Sequence, residues 1–502
     1  MTQAHEAITL GIGRQLLFDD FLIESTTLER RFHRPQIHPA TPVLAPETAI
    51  EMNGGYCPVA CTFQDGVFFD SEDQLFKMTY QAGWFQATAL ATSRDGIHWD
   101  RSILDVDGAT NRILPISYPL LRDGGGFWLD TFAKDRSERF KMLVFYRRAS
   151  HPSMGYTDHQ MHGVKEEFAE VYTSPDAIHW APRGRTSHCG DNSNFYYNPF
   201  DQRWYYSLRT NGERGRQRSF HAHTDFVEGR NWDPDRLQLL AIADDIDRAD
   251  PTAETPPEIY NFDAVGYESV MLGVYGILRG PQNPASFDRG LPKITDLEIG
   301  FSRDGLTWTR PDRSAPFLSC SKVPGAWDRG YLHASGGVCC VVGDKLYFYV
   351  SAFSGTSPML GTHMYAGGSV GLAVLRRDGF ASMSTGAQGE LLTKPLLFSG
   401  GYLFVNADAA GGNLSVEIRD AENRPIPGFA ASDCRPVTTD GVSTRVEWAN
   451  GDVAALSGRP VRFHFQLDTA DLYAFWVSRL PTGQSDGYLA AGGPGYSGVV
   501  DN

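Results

Sequence analysis

The sequence predicts an all-β protein, a five-bladed β-propeller followed by a C-terminal β-sandwich. Three observations predict it. A Ser-x-Asp-Gly-x-x-Trp motif recurs through the first three quarters of the chain, and an aromatic strand precedes each copy. The last quarter changes to plain alternation of apolar and polar residues. Alternation of period two marks strands with one buried face, and regular four-strand units joined by tight turns are propeller blades. An ordinary sandwich with accidental Asp-Gly turns is the plainer alternative, and it leaves the recurrence unexplained.

The close copies are Ser93-Arg-Asp95-Gly96-Ile-His-Trp99, Ser174-Pro-Asp176-Ala-Ile-His-Trp180 and Ser302-Arg-Asp304-Gly305-Leu-Thr-Trp308. Degenerate copies stand at Glu228-Gly229-Arg-Asn-Trp232 and Arg377-Asp378-Gly379-Phe380. Gly tolerates the positive φ of a tight turn, and the Trp packs the next strand. Upstream lie Phe76-Lys-Met78, Phe140-Lys-Met142, Trp204-Tyr-Tyr206, Val270-Met-Leu-Gly-Val-Tyr275 and Leu346-Tyr-Phe-Tyr349. Before each comes another short strand, such as Val67-Phe-Phe69-Asp70 or Phe195-Tyr-Tyr197-Asn198. Each unit therefore reads strand, hairpin, aromatic strand, Ser-x-Asp-Gly hairpin, strand.

Four segments follow from this. Residues 1–50 form an N-terminal segment whose alternating stretch 16–24 is expected to complete the last blade and cover its edge. Residues 51–385 form the propeller and residues 386–490 the sandwich. Residues 491–502, with Gly492-Gly-Pro-Gly-Tyr-Ser-Gly498, are expected to be a flexible tail.

Composition excludes several classes. An aromatic share of 12% rules out disorder, and a formal charge of −15 argues against nucleic acid and anionic membranes, which want clustered Lys and Arg. No apolar run approaches the roughly 18 residues a membrane helix needs. No basic stretch followed by an apolar core opens the chain, so no signal peptide is expected. The seven cysteines are scattered without a Cys-x-x-Cys pair. They are expected to be reduced and buried in a cytoplasmic protein. Phosphate-cradling glycine motifs and a Gly-x-Ser-x-Gly elbow are absent. His221-Ala-His223 and His159-Gln-Met-His162 have spacings a metal could use, yet no carboxylate pattern completes either, and neither metal nor cofactor is expected.

Leu17-Phe-Asp19-Asp20-Phe-Leu-Ile-Glu24, Leu75-Phe-Lys77-Met78, Arg139-Phe-Lys141-Met142, the Ser-x-Asp-Gly-x-x-Trp turns, Thr393-Lys-Pro-Leu and Asp471-Leu-Tyr-Ala-Phe475 together carry a family resemblance. The chain resembles the furanosidase clan that includes glycoside hydrolase families 32 and 43, and more closely bacterial family-32-like proteins. That resemblance implies a glycosidase acting on a furanoside or related bond in an oligosaccharide, with a pair of carboxylates at the propeller mouth. The Asn-Asp-Pro and Glu-Cys signatures of invertases are absent.

Glycoside hydrolysis needs one carboxyl to protonate the leaving oxygen and another to act as base or nucleophile. In a propeller the first strand of each blade lines the channel, so the acids at those strand entrances are the candidates. Blade three offers Asp191 followed by Asn192 and Asn194, which an Asx turn would equally use. Blade four offers Glu258, the favoured general acid, with Tyr260 as a stacking face. Glu51 precedes blade one, where Asp65-Gly66 reads as a turn. Blade two supplies Asp123 within Arg122-Asp123-Gly124-Gly-Gly126, a stretch that reads first as a glycine-rich surface loop. Asp70 and Asp130 fall at hairpins and are assigned to turns. Blade five contributes Asp328 and His333, and Arg209 and Trp84 complete the set of sugar-binding candidates.

Two other classes stay open. A lyase or epimerase on a uronic or anhydro sugar would lean on His333, Tyr260 and Arg209. A sugar-binding propeller without catalysis would use the same mouth. The sequence leaves sugar, linkage and oligomeric state open.

Overall fold

The computed structural model describes residues 7–114, 118–149, 164–251, 255–289 and 292–502. Five antiparallel sheets stand round a channel, and a second core of Leu, Val and Phe side chains sits under a large C-terminal sheet. The predicted architecture is the observed one.

Blade one comprises Ala60–Cys61 and Val67–Asp70, Leu75–Ala82 and Ala87–Ser93. Blade two is Leu120–Leu129, Phe140–Ala149, Val164–Ser174 and Ala181–Arg185, and blade three is Asn194–Asn198, Arg203–Gly212, Gly215–His223 and Gln238–Ala241. Blade four holds Glu258–Glu268, Val270–Gly280 and Ile294–Ser302. Blade five holds Gly330–Ala334 with Cys340–Val342, Lys345–Phe353 and Gly368–Arg376.

The first strands touch in a closed ring. A Cβ on Gly66 would lie 2.7 Å from the Phe127 carbonyl, and one on Gly126 would meet the Phe195 ring. Asn194 donates to the Phe262 carbonyl at 3.1 Å, the Tyr260 and Tyr331 hydroxyls share a 2.7 Å hydrogen bond, and Gly336 N–H donates to the Asp65 carbonyl at 2.7 Å.

The Ser-x-Asp-Gly motif works one strand later than its spacing suggests. It ends the third strand of a blade, because a strand such as Ala87–Ser93 intervenes after the aromatic one. In each close copy the Asp carboxylate accepts the N–H groups two and three residues on, at 2.7–2.9 Å. The Ser hydroxyl accepts the N–H three residues on. Gly96 and Gly305 take φ of +75° and +76°, and Ala177 adopts +69° at the matching position.

Asp70 and Asp130 are more than turn residues. Asp70 is buried and accepts from Lys77 and Arg139, the latter a blade-two residue, so the pair ties blade two to blade one. Asp130 repeats the arrangement with Lys141 at 2.7 Å. The Lys of each Phe-Lys-Met strand thereby finds its counter-ion on the preceding hairpin.

The closing strand is not the one expected. Gln36–Ile37 pair with Val374 and Ala373 and cover the edge of blade five. Stretch 16–24 instead joins the C-terminal sheet, where Leu16 pairs with Ala474 and Ile23 with Thr393. Leu17 and Leu22 point into the second core, which explains the alternation. That sheet centres on the 18-residue strand Val461–Ser478, flanked by Ala381–Thr393, Tyr402–Asp408 and Asn413–Asp420.

The C-terminal segment is also packed rather than flexible. Tyr488–Leu489 pair with blade four, and residues 490–492 thread among the strand ends of the other blades. Ala490 N–H donates to Gly266, Ala491 N–H to Cys339, while Phe69 and Val341 N–H groups donate to Ala491 and Gly492 carbonyls. Gly493 lets this passage occur, since a Cβ there would sit 1.7 Å from the Val341 carbonyl. The chain therefore plugs the channel at the C-terminal ends of the first strands. A buried ion network seals the seam beside it. Arg14 reaches Glu268 and Asp378, and Arg377 reaches Glu268 at 3.0 Å and Asp501 at 3.4 Å.

Candidate active site

The opposite mouth, where the first strands begin, gathers the polar residues. In blade two the first strand bulges between Arg122 and Gly125, pushing Asp123 toward the opening. The segment is buried strand, not surface loop: Arg122 is 0% exposed and pairs with Asp65 of blade one. Gly125 is required beside that pair, because a Cβ would stand 2.6 Å from an Asp65 oxygen. Asp65 is thus a channel residue rather than a turn residue. Burial, only partly offset by Arg122, raises its carboxyl to about 6.

One guanidinium joins blades two and three. Arg147 Nε donates to Asp123 at 2.6 Å, and its Nη2 donates to Asp191 at 3.0 Å. Arg209 donates to the other Asp191 oxygen, and its backbone N–H donates to the Ser193 hydroxyl at 3.0 Å. Asp191 is therefore a carboxylate held between two arginines, one fifth exposed at the mouth. Glu258 lies nearby at the start of blade four, 3.5 Å from Arg216 Nε and accepting from Gln282 at 3.2 Å.

Below them sits Asp263, 2% exposed. The Asn194 amide donates to one of its oxygens and Asn261 Nδ2 donates to the other at 3.2 Å. Burial raises this carboxyl to about 7, against the opposing pull of Arg218 and the two amides. Arg218 itself is fully buried and donates to the Asn192 carbonyl at 2.6 Å and to the Tyr260 carbonyl.

Blades four and five add an aromatic and basic wall. Lys293 Nζ donates to the Tyr260 hydroxyl at 2.8 Å and lies 3.5 Å from that of Tyr331. Arg216 stacks over the Tyr260 ring, 4.7 Å from its centroid. Burial would raise the Tyr260 phenol, yet Lys293 and Arg216 outweigh it and bring the phenol below its ordinary range. His333 packs against Phe63 and Tyr331 with ring centroids 4.3 and 4.6 Å away, and both its nitrogens are buried without a partner. Burial, reinforced by Lys293 and Arg218, keeps that imidazole neutral.

The structure thus brings Asp191, Glu258, Asp123, Asn194, Tyr260, His333 and Arg209 together at one mouth. Three expected residues behave otherwise. Glu51 is 0% exposed, and its carboxylate is spent: one oxygen accepts Glu47 and Thr48 N–H, the other accepts Tyr80 and Arg101 at 2.7 Å each. It completes the capping box of the short helix Ala49–Met52 as the partner of the N-cap Thr48, which removes it from the reacting set. Trp84 is sandwiched between Phe85 and Tyr365, with centroids 4.8 and 4.2 Å away, and presents no open face to a sugar. Asp328 lies before the first strand of blade five against the Ser321 loop, and makes no contact with the cluster among the described residues.

His159 and His162 lie outside the described residues. His221 and His223 stand 6.3 Å apart on one strand, and among the described residues no group of three His, Cys, Asp or Glu side chains gathers as a metal would require. All seven cysteines are free and buried. Sequence reasoning missed Asp263, Asp65, Arg147, Arg218 and Lys293. Asp263 follows Glu258 by five residues, which in a regular strand places it on the opposite face, and the bulge between Ile259 and Asn261 is what returns the two to one face.

No protein-family model matches the chain, and no curated protein matches it in sequence. Among solved structures it is similar to an N-acetylgalactosamine deacetylase from F. plautii, at 12% identity and a TM-score of 0.44, covering 70% of this chain and 96% of that one. It is also similar to a fructofuranosidase from Schwanniomyces occidentalis (8% identity, TM-score 0.38, 86% and 98% covered). An exo-β-1,3-galactanase from Phanerochaete chrysosporium gives 9% identity, TM-score 0.38 and coverage of 89% and 99%. Similarity at this level carries no argument about chemistry, which rests on the residues themselves.

Proposed function

We propose that the protein is a glycoside hydrolase that binds an oligosaccharide at the mouth opposite the tail and cleaves a glycosidic bond there. One observation supports this above the others: Asp123, Asp191 and Glu258, from three different blades, meet on the arginine set 147, 209 and 216, with a fourth carboxyl, Asp263, buried in the strand that Glu258 begins and bonded to Asn194 of blade three. Two carboxyl groups in contrasting environments are what acid–base cleavage of an acetal needs.

Asp263 is the candidate general acid, because burial keeps its proton to about pH 7. Asp191, fixed between Arg147 and Arg209, is the candidate base or nucleophile. Glu258, the acid favoured by position in sequence, is paired with Arg216 and is read as a substrate-holding group. Asp123 and Asn194 border the same space and would hold sugar hydroxyls. A furanose ring is the expectation carried over from the sequence resemblance.

The test is a panel of aryl furanosides and aryl pyranosides. On whichever is cleaved, Asp191→Asn and Asp263→Asn are each expected to lower kcat/KM by about 100-fold or more. Near wild-type turnover in both variants refutes the proposal. The lyase alternative is favoured by one feature, the Tyr260 phenol held by Lys293 above a neutral His333. A new double bond absorbing in the ultraviolet during turnover would decide for it.

A further inference from the structure

Lys293 has a geometry that hydrolysis of a neutral sugar does not explain. It is 1% exposed, and among the described residues its ammonium meets two phenol oxygens and the faces of the Tyr260 and Tyr331 rings, 4.7 and 4.8 Å from their centroids. No carboxylate pairs with it among the described residues, although Asp191, Glu258 and Asp263 all lie in the same mouth. Each of those acids is already matched: Asp191 by Arg147 and Arg209, Glu258 by Arg216, Asp263 by two amides and the field of Arg218. Arg216 is also underused. Among the described residues its one ion pair is the 3.5 Å approach to Glu258, and its Nη1 is buried with no hydrogen-bond partner there. Both groups flank Tyr260, Arg216 over the ring and Lys293 on the hydroxyl, so their vacant donors belong to one spot. Below it, His333 offers two further buried, unpartnered nitrogens.

Buried cations are ordinarily paired, because removing an ammonium from water without a counter-ion is costly. A surplus of cationic donors at a binding mouth, set among fully engaged carboxylates, is the arrangement that recognises an anionic ligand. Burial also lowers the Lys293 ammonium to about 8, against the opposing pull of the Tyr260 hydroxyl, so the phenol it touches only partly offsets the missing carboxylate.

We propose that Lys293 and Arg216 form a carboxylate subsite, so that the sugar held at this mouth is a uronic acid residue. The His333 nitrogens and the Tyr331 hydroxyl would then meet the ring hydroxyls next to that carboxylate. The inference rests on the reading of this mouth as a sugar site, and it specifies the substrate class that the hydrolase reading leaves open.

Calorimetric titration with free glucuronate and galacturonate, against glucose and galactose, tests it separately from catalysis. Either uronate should bind at least tenfold more tightly than its neutral counterpart. Lys293→Met and Arg216→Gln should each abolish that preference. Because Lys293→Met removes an unpaired buried charge, it should melt no lower than wild type without ligand, and it should lose the rise in Tm that the uronate gives wild type. Uronate binding without turnover of any glycoside would leave the subsite standing and remove the hydrolase. Hydrolysis of neutral glycosides with no uronate preference, unchanged in Lys293→Met, would overturn the subsite and keep the hydrolase. Cleavage of a neutral glycoside that requires inorganic phosphate would place the anion on phosphate and overturn the uronate proposal.

Discussion

Replacing Asp263 with Asn isolates one proton. The native carboxyl is raised from 3.8 to about 7 by burial, a shift of about 3 units, or about 4 kcal/mol at 1.36 kcal/mol per unit. The unfolded chain releases this proton near pH 4, whereas the folded chain keeps it until about pH 7. Between those values the folded state binds more protons, so the contribution of Asp263 to stability falls as pH rises, by about 1.4 kcal/mol per unit. Below pH 4 and above pH 7 the contribution is level. Asn has no such proton, and it can be housed: the Asn194 and Asn261 carbonyl oxygens are buried and unpartnered, so either amide can turn to accept the new N–H. Urea unfolding of variant and wild type in matched buffers from about pH 4.5 to 8 should therefore show the variant gaining on wild type by about 1.4 kcal/mol per unit up to pH 7, then a plateau. A difference that stays constant with pH, or one that shrinks as pH rises, would refute the claim that burial controls this carboxyl.

Other positions give independent tests. Asp70, held by Arg139 and Lys77, has its carboxyl lowered to about 2 despite burial. The stability it gives is present above pH 4 and lost as pH falls toward 2, so Asp70→Asn should flatten acid unfolding in that window by about 2 kcal/mol. Arg14→Ala takes the ion-pair partner from buried Asp378 and leaves Glu268 to Arg377, and should cost about 3 kcal/mol, read as a drop in Tm. Ala177→Gly relieves a left-handed backbone where the matching turns carry Gly96 and Gly305, and should stabilise by about 1 kcal/mol in urea unfolding.

The repeat was legible because it is local. Ser93, Asp95 and Trp99 sit within one turn and its following strand, and the hydrogen bonds that fix them span two or three residues. The plug and the closing strand were not legible, because the alternation of stretch 16–24 suits the edge of either sheet, while Gln36–Ile37 is too short to show a pattern and only three-dimensional packing assigns it. The same reason hid the arginine bridges. Arg147 lies 24 residues from Asp123 and 44 from Asp191, and no spacing rule links them. Glu51 misled because an acid before the first blade fits both a reacting group and a helix cap. The Thr48-x-x-Glu51 capping box was nevertheless present in the sequence. Asp263 was passed over for Glu258 because strand entrances look exposed, whereas a raised carboxyl needs burial, which sequence conveys poorly.

The central claim is that one mouth cleaves a glycosidic bond with Asp263 as acid and Asp191 as its partner. The pH profile of kcat/KM for wild type and Asp263→Asn, on the best substrate of the aryl glycoside panel, tests it most directly. The account predicts a wild-type profile whose alkaline limb falls near pH 7, and a variant about 100-fold slower from which that limb has gone. A variant with the same limb and near wild-type rate would contradict it.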